Sequence, residues 1–132
     1  MKKRNGDRGF TLIEVLVSLF LVAVANNLKA DRVANATFLA QQQIDWLRGF
    51  TLDELDVYTS TDLDARDEFL DLNGDLTNDF RRITGMNRVG DIFQVTIHVY
   101  SIEKVGGLTA AAVLADPVHY RPRALISTLI VR

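Results

Sequence analysis

Few residues of this 132-residue chain are equipped for chemistry. It has no cysteine, which excludes a thiol nucleophile, a thiolate metal site and a disulfide framework. Of its two histidines, His98 lies on the polar side of an alternating segment and His119 in a proline-flanked stretch. Neither has the spacing to other His or carboxylate residues that a metal site needs, and no glycine-rich phosphate loop or Ser-His-Asp set accompanies them. The chain is therefore not expected to be an enzyme. The string Asp71-Leu72-Asn73-Gly74-Asp75 places side-chain oxygens at alternate residues, as a calcium loop begins, so Asp71, Asn73 and Asp75 are the candidate metal ligands. Yet the glycine stands fourth rather than sixth, and the twelfth position is Arg82 rather than glutamate. Asn-Gly-Asp is also the composition of a tight turn, and a turn without a cofactor is the reading adopted.

One carboxylate is conspicuous by its surroundings. Residues 1–9, MKKRNGDRG, carry +3 and leave −5 for the remainder of a chain whose net charge is −2. That balance argues against a generic nucleic-acid or polybasic membrane binder. Directly afterwards, Phe10 to Ala25 form an apolar run interrupted by Glu14. A basic head before an apolar run has the general form of an export signal. A secretory signal removed after Ala25 would satisfy the small-x-small rule at Ala23-Val24-Ala25 and release a soluble binding module or enzyme. Against that stands Glu14, because an unpaired charge in hydrocarbon costs about 2.5–3.5 kcal/mol. As a plain membrane anchor, the run would be about 24 Å long, short of the roughly 20 residues that span a bilayer core. Snorkelling by Lys29 and Arg32 would have to make up the difference.

A third reading uses the unusual residues. Gly9-Phe10-Thr11-Leu12-Ile13-Glu14, after a short basic leader and before an apolar helix, resembles the processing site of type IV pilin precursors. Major and minor pilins, the pseudopilins of type II secretion and competence pilins share it. The resemblance implies that a prepilin peptidase cuts after Gly9 and methylates the new amino terminus at Phe10. It also implies that Glu14 serves assembly. Elementary electrostatics agrees, since a carboxylate in an apolar helix is retained when a partner neutralises it. In a staggered helical bundle Glu14 of one subunit would meet the Phe10 amine of the next and fix their axial register.

The rest of the chain supplies the elements around this motif. Nothing from Phe10 to Arg48 breaks a helix, and Gly49 offers a stop. Such a helix would extend nearly 60 Å (about 1.5 Å per residue), so its first half must be buried by a membrane and then by neighbouring subunits. Val33, Ala36, Ala40, Ile44 and Leu47 fall on one helical stripe, and Leu28, Leu39, Trp46 and Phe50 on a second. Two stripes suit a helix that packs on its own sheet and also faces partner helices, the alternative being a helix buried broadly within its own domain, and Trp46 itself is assigned to core packing. Residues 51–79 are acidic and read as a connection with one or two helical turns. Strand signals follow in Phe80–Val89, interrupted at Gly85, and in Ile92–Ile102, where Phe93, Val95, Ile97 and Val99 alternate with polar residues. Glu103–Pro122 reads as a loop insertion with a helical turn, and Arg123–Arg132 as a well-buried apolar strand.

One long helix followed by strands with short turns predicts an α+β fold with an antiparallel sheet packed on the helix. The order resembles the pilin fold: a long amino-terminal helix, then a three- or four-stranded sheet. The expected organisation is a removed leader (1–9), a helix with an assembly half and an amphipathic half (10–48), and a globular head (49–132). Ala40-Gln41-Gln42-Gln43-Ile44-Asp45-Trp46-Leu47-Arg48 and Ile126-Ser127-Thr128-Leu129-Ile130 resemble segments of PilV-type minor pilins and minor pseudopilins. An early end to the apolar run at Asn26-Asn27, and the lack of a cysteine-closed loop, set the chain apart from major pilins. The resemblance implies insertion in the bacterial inner membrane with the head in the periplasm, then a place in the pilus at the cell surface. The implied partners are prepilin peptidase and other pilin subunits. Competence pilins bind DNA, and Arg81, Arg82, Arg88, Arg121, Arg123 and Arg132 are the residues such a patch would draw on. Ordinary surface charge is the reading adopted for them.

Overall fold

The computed structural model describes residues 30–132. Gly9, Phe10, Glu14, Ala25 and the assembly half of the anticipated helix lie outside the described residues. Helix α1 spans Ala30–Arg48 and is followed by α2 at Leu52–Ser60 and a 3₁₀ turn at Leu63–Arg66. Strands β1 (Asp67–Leu70), β2 (Phe80–Val89) and β3 (Ile92–Ser101) come next. Two short helices, α3 (Ile102–Val105) and α4 (Ala110–Ala115), precede strand β4 (Ala124–Val131). The four strands form one antiparallel sheet in chain order, β1-β2-β3-β4. The α+β expectation holds for the described residues, with an antiparallel sheet against the second half of the helix.

Local chemistry accounts for the boundaries. Thr51 and Glu54 make a reciprocal capping box that starts α2: the Glu54 amide donates to Thr51 Oγ1 at 3.2 Å and the Thr51 amide to Glu54 Oε1 at 2.9 Å. That double acceptance holds the exposed Glu54 carboxyl below its ordinary pKa, the Thr51 amide first and its hydroxyl second. Gly90 turns the β2–β3 hairpin at φ 62°, the left-handed conformation that a two-residue loop requires. Arg132, beyond the end of β4, reaches back to the Arg48 and Phe50 carbonyls and satisfies the carboxyl end of α1.

The core lies between α1 and one face of the sheet. Ala36, Ala40, Ile44 and Leu47 are all fully buried there, against Phe93, Val95, Ile97 and Val99 of β3 and Ile126 and Ile130 of β4. The stripe read from the sequence thus faces the sheet, apart from Val33, which is only half-buried. The two alanines allow the helix to approach closely. Of the second stripe, Leu28 lies outside the described residues. Leu39 joins the core, whereas Trp46 is 52% exposed and does not pack in the core as anticipated. It sits on the flank of the sheet-facing stripe, where its ring meets Phe50 and Tyr58 edge-on at centroid distances of 4.5 and 5.6 Å.

Three further expectations need correction. The acidic connection contains a strand, since β1 pairs Asp67 with Ile83 and Glu68 with Arg82. The last strand is not buried throughout: Leu125, Leu129 and Val131 are exposed, because β4 is an edge strand with only its helix-facing side covered. Gly85 does not interrupt β2, which runs on through its pairing with Thr96. The insertion between β3 and β4 has its own role. Val105, Ala110 and Val113 fold over the sheet face away from α1 and bury Ile83 and Tyr100 in a second, smaller core.

Candidate functional site

Two consecutive arginines link these layers. Arg81 and Arg82 point to opposite sheet faces, as neighbours in a strand must. Arg81 donates to both carboxylate oxygens of Asp67 at 2.9 and 2.7 Å and to the Val105 carbonyl of the insertion. Arg82 donates to both oxygens of Glu68 at 3.1 and 3.0 Å and to the Leu39 carbonyl of α1 at 2.9 Å. Both forks are bidentate, the strongest form of this pairing. Beside Arg82, the buried Gln43 amide donates to Tyr58 Oη at 3.0 Å and Thr84 Oγ1 at 3.1 Å, so its nitrogen is satisfied under α1. Burial pushes the Tyr58 hydroxyl above its ordinary pKa.

The arginines do not gather into a DNA-binding patch. Arg81 and Arg82 are consumed on separate faces, Arg88 pairs with Asp56 of α2 at 2.6 Å, and Arg132 turns onto backbone carbonyls. Arg121 and Arg123 line a common cavity. At the start of α1, Arg32 meets Glu103 of the insertion at 2.6 Å, with both side chains half exposed. Such a pair contributes no more than about 1 kcal/mol.

The candidate metal ligands fall in the exposed β1–β2 loop, which is built as a chain of side-chain-to-backbone turns. Asp71 accepts the amides of Gly74 and Leu76 at 2.9 and 2.8 Å, Asn73 accepts that of Asp75 at 3.2 Å, and Asp75 accepts both the amide and hydroxyl of Thr77. The Thr77 hydroxyl, then its amide, lowers the Asp75 carboxyl below the ordinary range. Gly74 and Leu76 both adopt positive φ in this tight path. A carboxylate oxygen from each of Asp71, Asp75 and Asp79 lies within 4.8 Å of the others. Asp79 is thus the residue that sequence spacing misses. Both oxygens of Asp71 and Oδ1 of Asp75 are already engaged by the loop's own donors.

The histidines lie apart from each other and from these carboxylates. His98 is half-buried on the sheet face away from α1, and its ring stacks with Tyr100 at 6.3 Å between centroids. Its Nδ1 is buried without a partner among the described residues, and burial lowers its pKa. Burial also raises the Tyr100 hydroxyl. His119 packs edge-on against Tyr120 at 4.6 Å.

Among the described residues no helix is long and apolar enough to cross a membrane. No curated protein and no solved structure gives a significant match to the chain. A family model does match at the amino terminus: the prokaryotic N-terminal methylation motif fits residues 4–25, the stretch that contains Gly9, Phe10 and Glu14. Residues 4–25 therefore indicate a type IV pilin-like or pseudopilin precursor, processed by a prepilin peptidase and assembled with other pilin subunits.

Proposed function

We propose that the chain is a minor type IV pilin of the PilV-like kind, a structural and priming subunit rather than a catalyst. The observation that carries this reading is the methylation motif over residues 4–25, ahead of a head in which α1 packs on a four-stranded antiparallel sheet. In this reading the precursor sits in the inner membrane with its head in the periplasm. Cleavage after Gly9 frees the Phe10 amine, and Glu14 of one subunit pairs with that amine on its neighbour as the helices bundle. The pairing neutralises two charges that would each be costly alone in an apolar setting. The lack of cysteine and the PilV-like helix segment favour a minor over a major subunit.

Amino-terminal sequencing of the protein from cells tests the processing step. A methylated Phe10 at the terminus is expected, and a terminus at Asn26 would reject the proposal in favour of a secreted soluble domain. Glu14→Ala should be cleaved normally yet incorporated into pili at least about tenfold less, as loss of a paired charge predicts. Normal incorporation of this variant in purified pili would rule out the charge pairing. Detection of the parent protein in those same pili, and its absence from a secretion pseudopilus, distinguishes the minor pilin from a minor pseudopilin.

A further inference from the structure

The insertion between β3 and β4 borders an open cavity of about 600 Å³ on the sheet face away from α1. Its lining includes Tyr100, Lys104, His119, Tyr120, Arg121 and Arg123. This volume falls in the range of small-molecule sites. Three of the lining side chains are cations, and none of them pairs with a carboxylate among the described residues. Arg123 Nε donates to Ser101 Oγ at 3.2 Å and Arg121 Nε to the Val118 carbonyl at 3.4 Å, which leaves the ends of both guanidinium groups available. The one carboxylate in the wall, Glu103, is held by Arg32 at 2.6 Å. Beneath them Tyr100 is only 3% exposed, and its hydroxyl, which makes no hydrogen bond among the described residues, is not sealed from solvent and so is open to the cavity.

We propose that this cavity binds a small hydroxylated anion, a sugar bearing a carboxylate or a phosphate, with Arg121, Arg123 and Lys104 on the oxyanion and Tyr100 Oη on a ligand hydroxyl. Arginine forks match the planar carboxylate and the phosphate oxygens, and lysine adds a point charge. Tyr120, braced edge-on by His119, offers an aromatic wall for the apolar side of the ring. The cations are gathered in a concave site rather than spaced along a stripe, which suits one compact anionic group better than an extended polyanion. The site belongs to the head and does not depend on how the amino-terminal helix assembles.

The test is titration of the full mature chain in detergent micelles with D-glucuronate, D-glucose 1-phosphate and D-glucose, at about 0.15 M salt to suppress loose ion binding. Backbone amide shifts of Lys104, Tyr120 and Arg123 report occupancy. Saturable shifts with either anion and none with glucose are expected, and the anion that binds more tightly tells a carboxylate source from a phosphate source. Arg121→Glu, on an exposed residue without an ion pair, should weaken binding at least about tenfold, as should Arg123→Gln, which keeps a donor for Ser101. Absence of binding by both anions, equal binding of glucose, or undiminished binding by both variants would overturn the site.

Discussion

The two sides of the sheet are held by different means, and Arg81 and Arg82 show the contrast at adjacent positions. On the α1 side, fourteen buried apolar residues form one continuous layer, and the Arg82–Glu68 fork lies at its margin with the Glu68 side chain 39% exposed. On the far side, five buried residues make the second core, and the Arg81–Asp67 fork lies deep within it, with side chains 1% and 10% exposed. The helix is thus held chiefly by apolar burial. Docking of the insertion depends more on one ion pair and its bond to the Val105 carbonyl. Under a thin apolar layer the pairing of a buried charge weighs more, because an unmatched charge costs more than a few methyl groups return.

Truncation of the two arginines should break or sharpen this contrast most strongly. Arg81→Ala leaves the buried Asp67 carboxylate without its donor, while the Val105 carbonyl keeps the Leu108 amide, and a loss of about 3–5 kcal/mol is expected. Arg82→Ala should cost less, about 2 kcal/mol, because the half-exposed Glu68 carboxylate regains water. Urea unfolding of the two variants beside the parent chain measures the difference. Equal losses would show that the forks are energetically alike and would remove the contrast.

Substitution in the apolar layers is the next largest effect. Ile44→Ala removes the centre of the α1 contact and should cost about 2–4 kcal/mol, with loss of contact between helix and sheet. Val113→Ala, in the thinner layer, removes two methyl groups and should cost about 1.6 kcal/mol at roughly 0.8 kcal/mol for each. The same unfolding experiment ranks them. A larger loss at Val113 than at Ile44 would place the main core on the insertion side.

These layers differ in how far the sequence discloses them. The 3.6-residue stripe of Ala36, Ala40, Ile44 and Leu47 and the alternation of Phe93, Val95, Ile97 and Val99 are local periodicities, each tied to its own element. Strand β1 is not local in this sense. Asp67 and Glu68 read as part of an acidic connection because their partners, Arg81 and Arg82, arrive fourteen residues later. Strand β4 reads as buried on both sides because its composition does not reveal that the outer side of an edge strand stays open. Hydrophobicity places Trp46 near a stripe but does not say on which side of the stripe the sheet ends. The processing motif is contiguous and therefore legible. The cavity is assembled from Tyr100, Lys104 and residues 119–123, which a folded insertion alone brings together.

The smallest effect concerns His98, whose ring lies half-buried on the insertion side of the sheet, at the register position opposite Ile83. Burial holds its pKa below the ordinary value of 6.5. The unfolded chain therefore takes up the proton first as pH falls, and binds more protons than the folded chain between the two values. Stability should accordingly decline from about pH 6.5 downwards and level off once the folded histidine is itself protonated. His98→Asn should flatten that slope above pH 5, where most carboxylates remain ionised. Because the uncharged ring is favoured on one side of the sheet only, acidification should lower the protection of the Val113 amide, measured against its intrinsic exchange rate at each pH, before that of Ile44. Parallel loss of protection at both residues would mean that the two layers open as one unit, and that their different construction has no consequence for how the head comes apart.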